Sequence, residues 1–135
     1  MAIAAVATGC GGGTTSLTKA EFTKQADAIC LEAEETKDAA ILAYEKKHSK
    51  LDKSVEEELV TDVALPPIQA MTDELGGLGA PSDEESKTDA IVESFEGAIE
   101  KIEEDPSSVL TAPTSPFAEA DKLAGQYGMK SCAEI

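Results

Sequence analysis

From Phe22 onward, apolar side chains recur at Ala26, Ile29, Cys30, Ala33, Ala40, Ile41 and Tyr44, and the pattern reaches Leu51. A 3.6-residue repeat held for about eight turns fits an α-helix with one buried face. The start of this helix carries its own signals. Thr18 and Glu21 have the spacing of a capping box, and Leu17 with Phe22 that of a hydrophobic staple. Lys46, Lys47, His48 and Lys50 gather where the negative end of the helix dipole falls. Such a helix has a single apolar stripe, and only other elements with apolar faces can cover it.

Those elements read as helices too. Ser54 and Glu57 offer a second capping box, and Val55, Leu59, Val63, Ile68, Met71 and Leu75 carry a stripe to Gly76-Gly77. Pro66-Pro67 removes two backbone donors and should push Leu65 out of the helical region, so this second helix is expected to kink or split. Ser82 and Glu85 box a third helix whose inner face is Ile91, Val92, Phe95, Ala98, Ile99 and Ile102, ended by Asp105-Pro106. Residues 106–114 read as a loop. Ser115 then caps a short fourth helix with Pro116 at its first position, and Gly128 is suited to end it. Phe117, Ala120, Leu123, Ala124 and Tyr127 face inward. No alternating run or Asn-Gly hairpin argues for a strand. The expected fold is all-α, an up-down-up-down bundle of four helices with a kinked second and a short fourth helix.

Charge narrows the function. The 135 residues include 27 acidic and 11 basic side chains, every basic one a Lys, for a net charge of −16. Such a chain does not neutralise phosphates, which argues against nucleic acid, and anionic lipid surfaces repel it. No apolar run approaches the roughly 18 residues that span a bilayer. With one His, three Cys and no nucleophile motif, the chain reads as non-enzymatic and without a cofactor.

The chain opens with small apolar residues to Cys10, followed by Gly11-Gly12-Gly13-Thr14-Thr15-Ser16. This looks like the end of a lipoprotein signal: small residues fit the peptidase, and the Cys thiol accepts a diacylglyceryl group whose two chains anchor stably. Residues 1–9 are then a signal-peptide remnant, 10–17 the lipidated Cys and a flexible tether, and 18–135 the helical domain. Ala7 stands where Leu or Val is usual and no Lys precedes Cys10, so a start upstream of Met1 is expected. The alternative is an ordinary terminus with an incidental Cys. If Cys10 is lipidated, Cys30 and Cys132 remain to pair. Cys30 lies on the inner face of the first helix, and a descending fourth helix delivers Cys132 to its level. A bridge there closes about a hundred residues, worth roughly 4–5 kcal/mol in the loop-entropy picture. Two buried, reduced thiols in a cytosolic protein are the other possibility.

The lipobox-like start, the run from Leu17 to Cys30, Leu78-Gly-Ala-Pro81, and the run from Phe117 to Cys132 together resemble a group of small actinobacterial secreted lipoproteins. The resemblance implies export and a Cys30–Cys132 bridge, and it brings no activity.

On the third helix Asp89, Glu93, Glu96, Glu100 and Glu103 line one flank, away from Lys87 and Lys101. Four like-charge neighbours cost roughly 0.2–0.5 kcal/mol each. The flank is a docking strip for a basic partner, such as an envelope protein or membrane complex, or a weak cation site, or else a solvated face. His48 has Glu45 and Asp52 at i−3 and i+4, but one His with two surface carboxylates fits a cationic helix end better than a metal site. Tyr44, Phe95, Phe117 and Tyr127 are assigned to the core. Gly97 sits mid-helix on the outer side, from drift or from close approach of another backbone. The expectation is a non-enzymatic accessory or interaction module, lipid-anchored to the outer face of the cytoplasmic membrane. The alternative is a small-ligand binder with a cavity opened by the Pro66-Pro67 break.

Overall fold

The computed structural model describes residues 16–50 and 52–135. Residues 1–9, Cys10 and most of the tether therefore lie outside the described residues. Among the described residues all regular structure is helical: α1 Lys19–Lys47, α2 Lys53–Glu58, a π segment Leu59–Ala64, α3 Leu65–Gly77, α4 Glu85–Glu104, α5 Ser108–Thr111, α6 Ala118–Tyr127 and a terminal 3₁₀ turn Ser131–Glu134. The π segment and α3 pack on α1, α4 on α3, α6 on α4, and the 3₁₀ turn on both α1 and α6. Phe95, Ile68, Met71, Ile102 and Met129 are fully buried between them, with Cys30 and Cys132.

The first capping box is complete. Glu21 N–H donates to Thr18 Oγ1 at 3.2 Å, and Thr18 N–H donates to Glu21 Oε2 at 2.9 Å. Leu17 packs against the core beside buried Phe22, as a staple requires. The other two boxes do not form. Asp52 caps α2 instead, accepting from the Ser54 and Val55 amides at 3.0 and 3.1 Å. Its carboxylate stands two residues ahead of Ser54 and meets the free amides first. Before α4, Pro81–Glu84 closes a turn with Asp83 at φ 68°, so the helix begins at Glu85 without a side-chain cap. Ser82 Oγ instead meets Ser16 Oγ at 3.1 Å, and Leu17 N–H donates to Gly79 O at 3.3 Å. The described end of the tether is thus fastened to the α3–α4 loop. Ser115 does not cap the last helix either: its hydroxyl accepts from the Phe117 amide at 3.1 Å within the preceding turn, and α6 begins at Ala118 with Phe117 as its N-cap.

The proline pair acts differently from the expectation. Leu65 remains helical, at φ −72° and ψ −40°. In a regular helix the proline ring strikes the carbonyl four residues back. Here the preceding turn is widened, and Leu65 N–H reaches back five residues to Val60 O. Widening shifts those carbonyls away from the rings, so Pro66 and Pro67 fit at the start of α3. Residues 106–114 also differ, holding the single turn α5.

At the other end Gly128 adopts φ 107°. Met129 N–H donates to Ala124 O at 2.9 Å and Gly128 N–H to Gly125 O at 3.2 Å, the paired bonds of a Schellman stop. Met129 is buried, and the reversed chain runs back onto α1. There the Ser131 amide donates to Asp27 Oδ1 at 2.8 Å. Cys132 forms a disulfide with Cys30 at a Cα separation of 5.1 Å, inside the range a disulfide needs.

Two outcomes follow from this packing. Reduction, or Cys30→Ser, is expected to cost about 4 kcal/mol and to expose the amides of residues 115–135 first in hydrogen exchange; uniform protection would show that Phe117, Leu123 and Tyr127 hold the segment by packing alone. A Cβ at Gly97 would meet nothing within 4 Å, which removes the close-approach explanation. Gly97→Ala should therefore raise stability by about 0.5–1 kcal/mol in urea unfolding.

Candidate functional site

α4 places Asp89, Glu93, Glu96, Glu100 and Glu103 in solvent, all five exposed. None has a Lys within 4.0 Å among the described residues. Gln69 of α3 donates to Glu103 at 2.7 Å, and Asp73 of α3 shares a shallow groove with Glu96, Glu100 and Glu103. The strip is therefore wider by one carboxylate than α4 alone provides. Its unneutralised charge can attract a cationic surface, and salt would weaken that attraction.

A second cluster, which sequence reasoning missed, joins the starts of α1 and α4 to the end of α6. Glu84 accepts the Tyr127 hydroxyl at 2.7 Å and Lys87 Nζ at 3.2 Å, with Lys19 Nζ 3.7 Å away. Lys19 Nζ also sits 4.5 Å from the centre of the Tyr127 ring, which meets Phe22 edge-on at 5.8 Å. The Tyr127 hydrogen bond holds the Glu84 carboxyl below its usual range, with help from both lysines and against partial desolvation. Desolvation and the same carboxylate push the Tyr127 phenol well above its usual value. A phenol held protonated is a poor base or nucleophile, and the bonds of the cluster tie the three helix ends together. The only hint in the sequence is that Glu84, Lys87 and Tyr127 all sit at helix ends.

The third feature is a cleft of about 260 Å³ in the upper half of the molecule. Helix lengths explain it. α1 has 29 residues along an axis of about 43 Å, whereas α6 has 10 and spans about 15 Å. Beyond Ala33 no residue of α1 is fully buried. What remains beside it is the π segment, the single turn α5 and Ser115–Phe117. The cleft floor is Val60, Ala64, Leu65, Ile68, Ile102 and Phe117, with Lys37 and Ile41 of α1 along one edge. Val109 forms part of the wall yet is 41% exposed, and neighbouring Leu110 is 60% exposed. Lys37 Nζ donates to Ile135 O at 3.4 Å. Burial pushes the Asp121 carboxyl of α6 above its usual range, opposed by the Ile135 backbone and the Lys37 charge.

The remaining sequence candidates take structural places. Phe95, Phe117 and Tyr127 are buried, but Tyr44 is only half-buried and stacks on His48 with ring centres 4.0 Å apart. α1 outruns its helical cover there, and the ring is held instead by His48 and by its hydroxyl, which donates to Val55 O at 3.5 Å. Asp52 is occupied as a helix cap, and no three His, Cys, Asp or Glu side chains converge on a metal position among the described residues. Comparison with protein families, curated proteins and solved structures finds no match to this chain.

The Glu84 cluster sets a pH dependence. Its folded pKa lies below the unfolded value, so its contribution is complete above the unfolded pKa and disappears as pH falls through the folded one. The difference in Tm between the native protein and Glu84→Gln should be largest at neutral pH and close below about pH 4. A gap that persists in acid would assign the loss to packing instead of ionisation.

Proposed function

We propose that this protein is an extracytoplasmic lipoprotein, anchored through Cys10 to the outer face of the cytoplasmic membrane, whose helical domain is a non-enzymatic interaction module. The Cys30–Cys132 disulfide carries the reading. Structural disulfides persist in oxidising compartments and are rare where thiols are kept reduced. The resemblance to small actinobacterial secreted lipoproteins points the same way. In this reading the domain is an up-down-up-down four-helix bundle formed by α1, α2–α3, α4 and α6. The bond from Gln69 near the start of α3 to Glu103 near the end of α4 supports it, as does Tyr127 at the end of α6 beside Lys19 at the start of α1. The exposed carboxylates of α4 are then the docking strip for a basic envelope protein or membrane complex, through contacts that a net charge of −16 denies to nucleic acid.

The anchor is tested by mass spectrometry of the native protein. Cleavage before Cys10 and a diacylglyceryl adduct on it are expected, and Cys10→Ser should release the protein from membranes. For the docking strip, Glu93→Lys, Glu96→Lys and Glu100→Lys together should leave the fold intact, because surface charges contribute little to stability. The triple variant should lose a partner captured from native membranes by the unmodified domain; retained capture would show a solvated face. The cleft supports a second reading, that of a small-ligand binder, since it opens beside the π segment that accommodates Pro66 and Pro67.

A further inference from the structure

We infer that the strap of residues 106–114 is a lid. Turning its single helical turn, α5, about its own axis closes the cleft with the side chain of Leu110. The occupant belongs to the chain itself, so closure needs neither the anchor, the docking strip nor a ligand.

Three features of the strap combine. The first is how little holds it. The Ser107 amide and hydroxyl donate to the Asp105 carboxylate, the Ser108 amide to Asp105 O, and the amides of Leu110, Thr111 and Ala112 to carbonyls of Ser107 and Ser108. Among the described residues, no hydrogen bond or ion pair joins residues 106–114 to α1, α3, α6 or the π segment. The turn is bonded within itself and to the end of α4 alone, so it moves without breaking a bond to the rest of the molecule.

The second feature is which way α5 faces. Successive side chains point about 100° apart around a helix. Ser108 Oγ is buried without a hydrogen-bond partner among the described residues, while Val109 is 41% and Leu110 60% exposed. A buried hydroxyl lacking a partner and a leucine in water are both unfavourable. A rotation of about 100° relieves both. It turns Ser108 out to solvent, keeps Val109 at the cleft that it already lines, and carries Leu110 inward. The flanking residues Asp105, Ser107, Ala112 and Thr114 lie outside regular helix and take up the change in φ and ψ, because Pro106 and Pro113 have φ fixed.

The third feature is room. The cleft beside α5 has a volume of about 260 Å³ and an apolar floor that includes Ala64 and Ile68. A cavity of about 150 Å³ already holds benzene, a larger group than the isobutyl of leucine. Any apolar ligand of the second reading has to displace this side chain.

The test compares the full oxidised chain with its Leu110→Gln and Leu42→Gln variants, since glutamine nearly matches leucine in helix propensity. Leu42 of α1 is 56% exposed and does not line the cleft, so it reports the loss of a leucine that stays in water. Leu110→Gln should lower Tm by about 3–6 °C and Leu42→Gln by less than about 1 °C. In the native chain, the Leu110 methyl signals should show nuclear Overhauser cross-peaks to the methyls of Ala64 and Ile68. Absence of those cross-peaks overturns the closed strap. Equal, small Tm shifts from the two variants overturn it as well, because Leu110 then behaves as a side chain that remains in solvent.

Discussion

The bond between Cys30 and Cys132 ties two segments 102 residues apart in the chain, and the lower half of the molecule is organised around it. α6 has ten residues, fewer than an isolated helix needs to persist in water. It holds its place because both of its ends are fixed. Ser115 and Phe117 set its start against α4, and the Gly128 stop returns the chain to α1. There the Asp27 carboxylate and the disulfide together fasten the 3₁₀ turn. The aromatic contact of Phe22 with Tyr127, the Tyr127–Glu84 hydrogen bond and the Leu17–Gly79 bond all lie at this same end. A chain with only 4% aromatic residues has limited apolar area for each helix, and a covalent tie that restricts the unfolded chain offsets that shortage.

The same economy leaves the upper half open. A longer α6 would have filled the space above Phe117. Instead a single turn and a proline-containing strap lie there, and a cleft survives between α1 and α4. The widened π turn forms one wall of it. The wide turn therefore has two effects: it accommodates the prolines, and it places Val60 and Ala64 beside the cleft. Rigid lower packing and an incomplete upper layer are two results of one unequal set of helix lengths.

Much of this was legible in the residues. The long first helix, its Thr18–Glu21 box, the inner face of α4 and the Gly128 stop all follow from periodicity and side-chain chemistry. The failures have physical causes. With 27 acidic residues in 135, the Ser-x-x-Glu pattern occurs by composition, so Ser54 and Ser82 were weak signals. The wide turn did leave a trace: the stripe steps by four from Val55 to Leu59 to Val63, then by five to Ile68. The structure buries Val60 and Leu65, also five apart, as a π turn requires. The five carboxylates of α4 could be placed on one face, but Asp73 joins them only through the packing of α3 on α4. The Glu84 cluster and the cleft depend on contacts between distant segments, and no local pattern encodes those.

The π segment also bears on ancestry. A wide turn inside a helix contains one residue more than an uninterrupted helix of the same rise, so Leu59–Ala64 has the form of a single-residue insertion. The prolines that follow are tolerated only because that residue is present, which makes the insertion and the proline pair a linked unit.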